Sequence, residues 1–360
     1  MIISFDLFII ENSNMEKWSR LPVCIILFSN SFILCAQKSN LTIQVTPAHG
    51  EKKIIVTADG KPFTTFIYPD TLEKHTLYPI YSTDGQVVTR GFPVDPRPGD
   101  PTDHPHHLGL WFNYEKVNGL DFWNNSYNIK ADRKHLYGWI RVDSVLQTKN
   151  GKKGELKVSS TWHDQQKKPL LREITQFIFS ADRNKRVIDR IITLTALTDT
   201  VLFSDVKDGL LGIRVTPELQ IPSKQETAFK DDQNNVTKVK ANVTSTGNYL
   251  TSEGKHGDSA WGTRGEWCLL YGKKNNAVIS IAIIDHPGNP GYPTYWHARG
   301  YGLFAANPLG QQVFSNGKEI LNLRLQKNQS VTFRYRVVIA SGKERLSNQH
   351  ISTLAREFKE

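Results

Sequence analysis

Apolar and polar side chains alternate with a period of two along much of this chain, and that restricts it to strands. Leu321, Leu323 and Leu325 alternate with Asn322, Arg324 and Gln326; the polar run KNQS follows; then Val331, Phe333, Tyr335, Val337 and Ile339 alternate again. Successive side chains of a pleated strand point to opposite faces, so this pattern buries one face and wets the other, and the pair reads as an antiparallel hairpin. Residues 174–179 and 187–197 form another pair about the turn ADRNK. Residues 277–284, AVISIAII, are apolar nearly throughout, which suits a strand covered on both faces. Helical spacing appears only at the end, where Ser347 can cap a short helix carrying Ile351, Leu354, Ala355 and Phe358 on one side. Short strands parted by Gly, Pro, Asn and Asp turns predict an all-β fold: a large antiparallel β-sandwich with a short C-terminal helix. Residues 224–260, rich in Lys, Asp, Asn, Thr, Ser and Gly, are expected to form a long excursion, a hairpin or a flap.

No composition break divides the chain after residue 36, so 37–360 is expected to be a single β-sandwich domain. Ahead of it, Lys17 and Arg20 precede the apolar run 21–34 and the small Ala36. That is the pattern of a secretory signal peptide over residues 1–36, with Met15 as an alternative start. The run is 14 residues long, against the ~20 that a membrane span needs. The expected location is periplasmic or secreted, with no membrane insertion. Cleavage leaves Cys268 alone in the apolar run WCLLY, so the fold does not rely on a disulfide and the thiol reads as a buried strand residue. The formal charge is +10, or about +11 once residues 1–36 take away their two positive and three negative side chains. Lys and Arg are scattered and no nucleic-acid motif is present, so a nucleic-acid partner is not expected.

The chemistry concentrates in residues 103–123, DHPHHLGLWFNYEKVNGLDFW. His104, His106 and His107 fall within four positions, and imidazole both titrates near neutral pH and binds metals. Trp111 and Trp123 follow, with aromatic faces suited to the apolar side of a sugar ring. A second stretch repeats the theme: Asp285-His286-Pro287 echoes Asp103-His104-Pro105 and leads to Trp296 and His297. Both loops are expected at one cleft. Asp103 and Asp285 would orient histidines, leaving a second ring nitrogen to give or take a proton. Strand alternation would send His106 and His107 to opposite faces. If a metal is bound, His104, His106 and His297 are its expected ligands; no cofactor is otherwise expected, and a divalent metal is the one such histidines would accept.

The segment 203–215, FSDVKDGLLGIRV, adds Asp205 as an acid or base and Lys207 and Arg214 as anion-binding groups. Glu173 is the spare carboxylate for a two-carboxylate hydrolysis. Arg90 and Asn307 offer polar ligand contacts, and Trp296 a stacking platform. DHPHHLGLWF, VNGLDFW, FSDVKDGLLGIRV and IDHPGNPGYPTYWHARGYGLFAANPLG together resemble the bacterial PmoA-like family, labelled "methane oxygenase PmoA". Leu108 stands where that family's HHRGLWF has arginine. The methane monooxygenase subunit of that name is an integral membrane protein, and no stretch here is long enough to span a membrane, so the label is not taken as an activity. The resemblance implies a sandwich similar to the galactose mutarotase-like supersandwich of carbohydrate-active proteins. The expectation is an exported carbohydrate-active protein that binds a saccharide or related polyhydroxy compound and acts on it as an epimerase, lyase or hydrolase. A non-catalytic saccharide-binding protein and a metal-dependent oxidase or oxygenase are the alternatives.

Overall fold

The computed structural model describes residues 40–230 and 236–359, so the signal-peptide reading of residues 1–36 lies outside the described residues. Two eight-stranded sheets carry most of the fold. The first runs in the order β1 (Ile43–Pro47), β2 (Lys53–Ala58), β3 (Lys61–Ile67), β4 (Thr76–Ile80), β5 (Leu110–Tyr114), β11 (Gly209–Arg214), β18 (Leu303–Asn307) and β17 (Tyr295–Arg299). The second runs β14 (Asn248–Thr251), β15 (Trp267–Lys274), β16 (Ala277–Asp285), β20 (Ser330–Gly342), β9 (Lys185–Ala196), β8 (Pro169–Ala181), β7 (Gly154–His163) and β6 (Trp139–Lys149). Every strand pairing in both sheets is antiparallel. This is the sandwich the alternation predicts.

The inner faces meet in one core. Phe63 and Phe66 of the first sheet touch Phe179 and Phe177 of the second, and Phe112 lies 5.8 Å from Phe333. Removing a fully buried ring such as Phe112 costs roughly 3–5 kcal/mol. Strand β16 is covered on both sides, as its apolar run requires. Ile279, Ile281 and Ile283 face the core, while Ala282 and Ile284 face the C-terminal helix Asn348–Lys359 through Ile351, Leu354 and Ala355. The Ser347 hydroxyl accepts from the His350 backbone N–H at 3.2 Å, the expected cap. Cys268 is buried in β15.

One pairing differs from expectation. Strand β20 pairs with β9 and β16, while residues Arg324–Gln326 form β19 and pair with β10 (Thr200–Leu202). Alternation reports which face is buried, not which strand lies alongside, and the two runs about KNQS therefore go to different partners. The excursion does contain a hairpin, β12 (Thr227–Lys230) with β13 (Val236–Val239), and among the described residues these two strands pair only with each other.

Candidate functional site

The outer face of the first sheet carries the site. On β5, β11, β18 and β17 the side chains that turn inward include Leu110, Phe112, Tyr114, Leu211, Ile213, Phe304, Ala306, Trp296 and Ala298. The alternate positions face out. Trp111 pairs with Gly212, Gly212 with Ala305, and Ala305 with His297, making one row across four strands. The next row is Arg214, Leu303 and Arg299. Two small residues at the middle of the first row, Gly212 and Ala305, make room for the indoles of Trp111 and Trp123, which cluster there with Leu303. At Gly212 a Cβ would sit 2.8 Å from the Trp111 ring and 3.0 Å from that of Trp123, so only glycine lets the indoles close over the strand. Beside this cluster lies a cavity of about 140 Å3, lined by His104, His106, His107, His297, Lys207, Asp208, Arg299, Tyr301, Trp123, Asn124 and Leu303, with Phe229 and Thr237 of the hairpin also on its wall.

All three clustered histidines line this cavity, which corrects the expectation that His106 and His107 diverge. The segment is a turn, not a strand: His104 has φ +45° and its carbonyl accepts from the His107 N–H at 3.1 Å. Two arginines hold the turn. Arg90 donates to the carbonyls of Pro101 (3.2 Å), Asp103 (2.6 Å), His104 (2.9 Å) and His107 (3.3 Å). Arg214 donates to both Asp103 carboxylate oxygens (2.9 and 2.7 Å) and to His107 Nδ1 (3.1 Å). Both guanidinium groups are thus consumed inside the protein, so neither is the ligand contact expected of it.

These bonds set the tautomers. Burial acts to raise the Asp103 carboxyl, but Arg214, His104 and Arg90 outweigh it and hold the group well below the usual carboxylate range. An ionised carboxylate only accepts, so the His104 Nδ1 at 2.6 Å from it carries the hydrogen and Nε2 keeps its lone pair. A guanidinium only donates, so His107 Nδ1 carries the lone pair and Nε2 the hydrogen. Burial lowers the His104 imidazole, with Asp103 opposing and Arg214 and Arg90 adding to it; burial lowers His107 further, helped by His106, His104 and the two arginines, so both stay neutral at neutral pH. The rings of His104, His107 and Tyr301 lie nearly parallel, with His104 4.8 Å from each neighbour. Trp111 stacks beneath His107 at 5.2 Å.

Across the cavity stand a cation, a carboxylate and another neutral imidazole. Lys207 Nζ lies 3.2 Å from Asp208, and His297 Nδ1 lies 3.5 Å from the same carboxylate. Burial pushes His297 down to about 3; Asp208 opposes this, and Arg299 and Lys207 add to it. Asn307 sets the loop by donating to the Val206 and Lys207 carbonyls at 2.9 Å each. Its role is to position Lys207 and Asp208, not to meet a ligand.

Other predicted residues lie elsewhere. Glu173 is fully buried on β8 between the sheets, where Trp162 and Thr175 donate to it and His75 Nε2 lies 3.2 Å away; burial acts to raise it, but His75 and Arg190 keep it at about 2. It cannot flank a bond in the cavity. Asp205 accepts from the backbone N–H groups of Gln312, Leu321 and Asn322 and so anchors a connecting segment. His286 sits in a turn, accepting from Gly288 N–H and meeting Phe358 of the C-terminal helix. Trp296 faces the core beside Phe304. Only His297 of the second Asp-His-Pro stretch reaches the cavity. Among the described residues no three His, Cys, Asp or Glu side chains converge to hold a metal ion. His104, His106 and His297 line the cavity, but His104 Nδ1 is engaged by Asp103, and the three are not gathered on one point.

The sequence assigns no site role to Asp208, which stands in the segment 203–215, or to Arg299 and Tyr301. Arg299 follows from His297 by strand alternation, whereas Asp208 sits in a loop and Phe229 in the excursion, where periodicity is silent. No helix among the described residues is long and apolar enough to cross a membrane.

The fold and site define an antiparallel two-sheet sandwich with a histidine-lined cavity on the outer face of one sheet. The chain belongs to DUF6807, a family of unknown function, whose model matches residues 53–356. No curated protein matches the chain. Among solved structures it is similar to the Slr1438 protein from Synechocystis sp. PCC 6803, at 10% identity and TM-score 0.32 over 84% of this chain and 96% of that one. It is also similar to a galactose mutarotase related enzyme from Lactobacillus acidophilus, at 9% identity and TM-score 0.32 over 85% and 99%. A beta-arabinopyranosidase matches at 12% identity and TM-score 0.29, over 87% of this chain and 40% of that one. Likeness at this level says nothing of what the cavity holds.

Proposed function

We propose that the protein is exported and carbohydrate-active: its cavity takes a saccharide, and the Asp103–His104 pair moves a proton on it. One observation carries the reading. Two neighbouring imidazoles are fixed in opposite tautomers, so the cavity presents a basic Nε2 on His104 beside an N–H donor on His107. His104 takes a proton from the bound ligand, and Asp103 stabilises the imidazolium that results. His107 is neutral and acts as a hydrogen-bond donor to ligand oxygen; Lys207 supports the same oxygen-rich ligand from the opposite wall. The protonated His104 returns its proton to the ligand to complete the cycle. Trp123 and Tyr301 supply aromatic walls of the kind that cover the apolar face of a sugar.

The test is incubation of a monosaccharide and glycoside panel with the protein in D2O, followed by NMR, with binding measured by calorimetry. Faster anomer interconversion, deuterium at carbon or bond cleavage each report proton transfer. His104→Asn keeps a donor to Asp103 but loses the base, and is expected to abolish the reaction while binding persists. Binding with no such change for any sugar would make this a recognition module and sink the catalytic reading.

A further inference from the structure

The central cavity does not end at its own walls. On one side it shares Phe229, Arg299 and Tyr301 with a cavity of about 280 Å3, and on the other it shares His106, Asn124 and Thr237 with one of about 300 Å3. Each flank is larger than the centre's 140 Å3. Strand β13, with Lys240 just beyond its end, runs along all three. Val236 and Thr237 lie over one flank, Thr237 also over the centre, and Val239 and Lys240 over the other flank. At roughly 3.3 Å per residue these positions span about 13 Å. The flanks are lined with hydroxyl, amide and carboxylate groups, among them Ser126, Asn128 and Asp132 on one side and Gln220, Asn242 and Asp258 on the other. Groups of this kind bond sugar hydroxyls.

We propose that the three cavities are consecutive subsites of one trough, and that the substrate is an oligomeric saccharide passing under the hairpin with an internal unit at His104. The inference rests on the saccharide reading and extends it. A protein acting on a single free sugar needs one pocket, closed beyond the reacting unit; here space continues on both sides of the His104–His107 pair.

The test measures affinity by calorimetry against ladders of one to six units of cellulose, starch, xylan, mannan, galactan and polygalacturonate. For the sugar that binds, affinity rises roughly tenfold or more from one unit to three and then levels. Gln225→Trp and Lys130→Trp, at exposed positions lining opposite flanks, each put an indole into one flank. Each is expected to remove the gain from length on its own side alone, with thermal melts confirming that both variants fold. A single unit that binds as tightly as its longest oligomer overturns the trough and leaves the saccharide reading standing. If no ladder binds at any length, both fall.

Discussion

Asp103 and Asp285 each open an Asp-His-Pro tripeptide and each carboxyl is buried, yet the two sites behave oppositely. Asp103 faces two guanidinium groups and is held ionised. Asp285 accepts from Asn289 Nδ2, the Thr294 N–H and the His286 N–H, and burial raises it to about 7 against those bonds and the weaker pull of Arg264, which makes no ion pair with it. The His104 ring turns to its aspartate; the His286 ring turns away to Gly288 and Phe358. The tripeptide sets only the local backbone. What makes one copy an oriented acid-base pair is Arg214, 111 residues further along the chain.

The largest expected effect breaks that distinction. Arg214→Met keeps the length of the side chain but leaves Asp103 charged and buried with one cation fewer. Loss of one partner of a buried pair costs roughly 3–5 kcal/mol, to be read in urea unfolding at pH 7. The variant also raises the Asp103 carboxyl and frees His107 Nδ1, so proton transfer is lost with stability. A cost under about 1 kcal/mol would show that Arg90 alone suffices and that the comparison rests on the wrong arginine.

pH separates the two carboxylates by sign. Asp103 has a folded value below its unfolded ~3.9, so its stabilisation is complete above that and lost as pH falls through the acid range. Asp285 has a folded value raised to about 7, so the native state holds a proton that the unfolded chain has released. Stability therefore declines between about pH 4 and pH 7, at up to roughly 1.4 kcal/mol per pH unit. Asp285→Asn is expected to remove that decline; urea midpoints from pH 4 to 8 for both proteins give the slope directly. Equal slopes would mean that Asp285 is ionised in the fold.

The two histidines give the next contrast. His104→Asn is expected to lower turnover by roughly 100-fold or more, the usual range for a general base, with affinity changed only a few-fold. His286→Ala should leave both within about twofold, since its ring meets only the turn and the helix. Loss of turnover in both variants would return the second tripeptide to the site.

Periodicity made the scaffold legible. It identified β8 with β9, the doubly covered β16 and the C-terminal helix, because burial of a face is written into every second or every third and fourth residue. It did not show that β19 leaves β20 for β10, since a register partner leaves no mark on the strand itself. Residue type alone also fails to separate Asp205 from Asp208: three positions apart, one binds three backbone N–H groups and the other faces the cavity. Arg90 and Arg214 are cations with the right chemistry for a ligand, spent on carbonyls and a carboxylate that only the folded chain brings to them.

The smallest effect probes the second tripeptide's real neighbour. Ser347 caps the helix whose Phe358 meets His286 at 5.2 Å, and Ser347→Ala removes one acceptor from the first turn. The expected loss is about 1 kcal/mol of stability, measured by urea unfolding. Ligand affinity is expected to stay within error, because the helix lies on the outer face of the second sheet and the cavity on the outer face of the first. A change in affinity from so remote a cap would mean that the two outer faces of the sandwich are coupled through the core. The two tripeptides would then have to be read as parts of one device, not as one oriented pair and one turn.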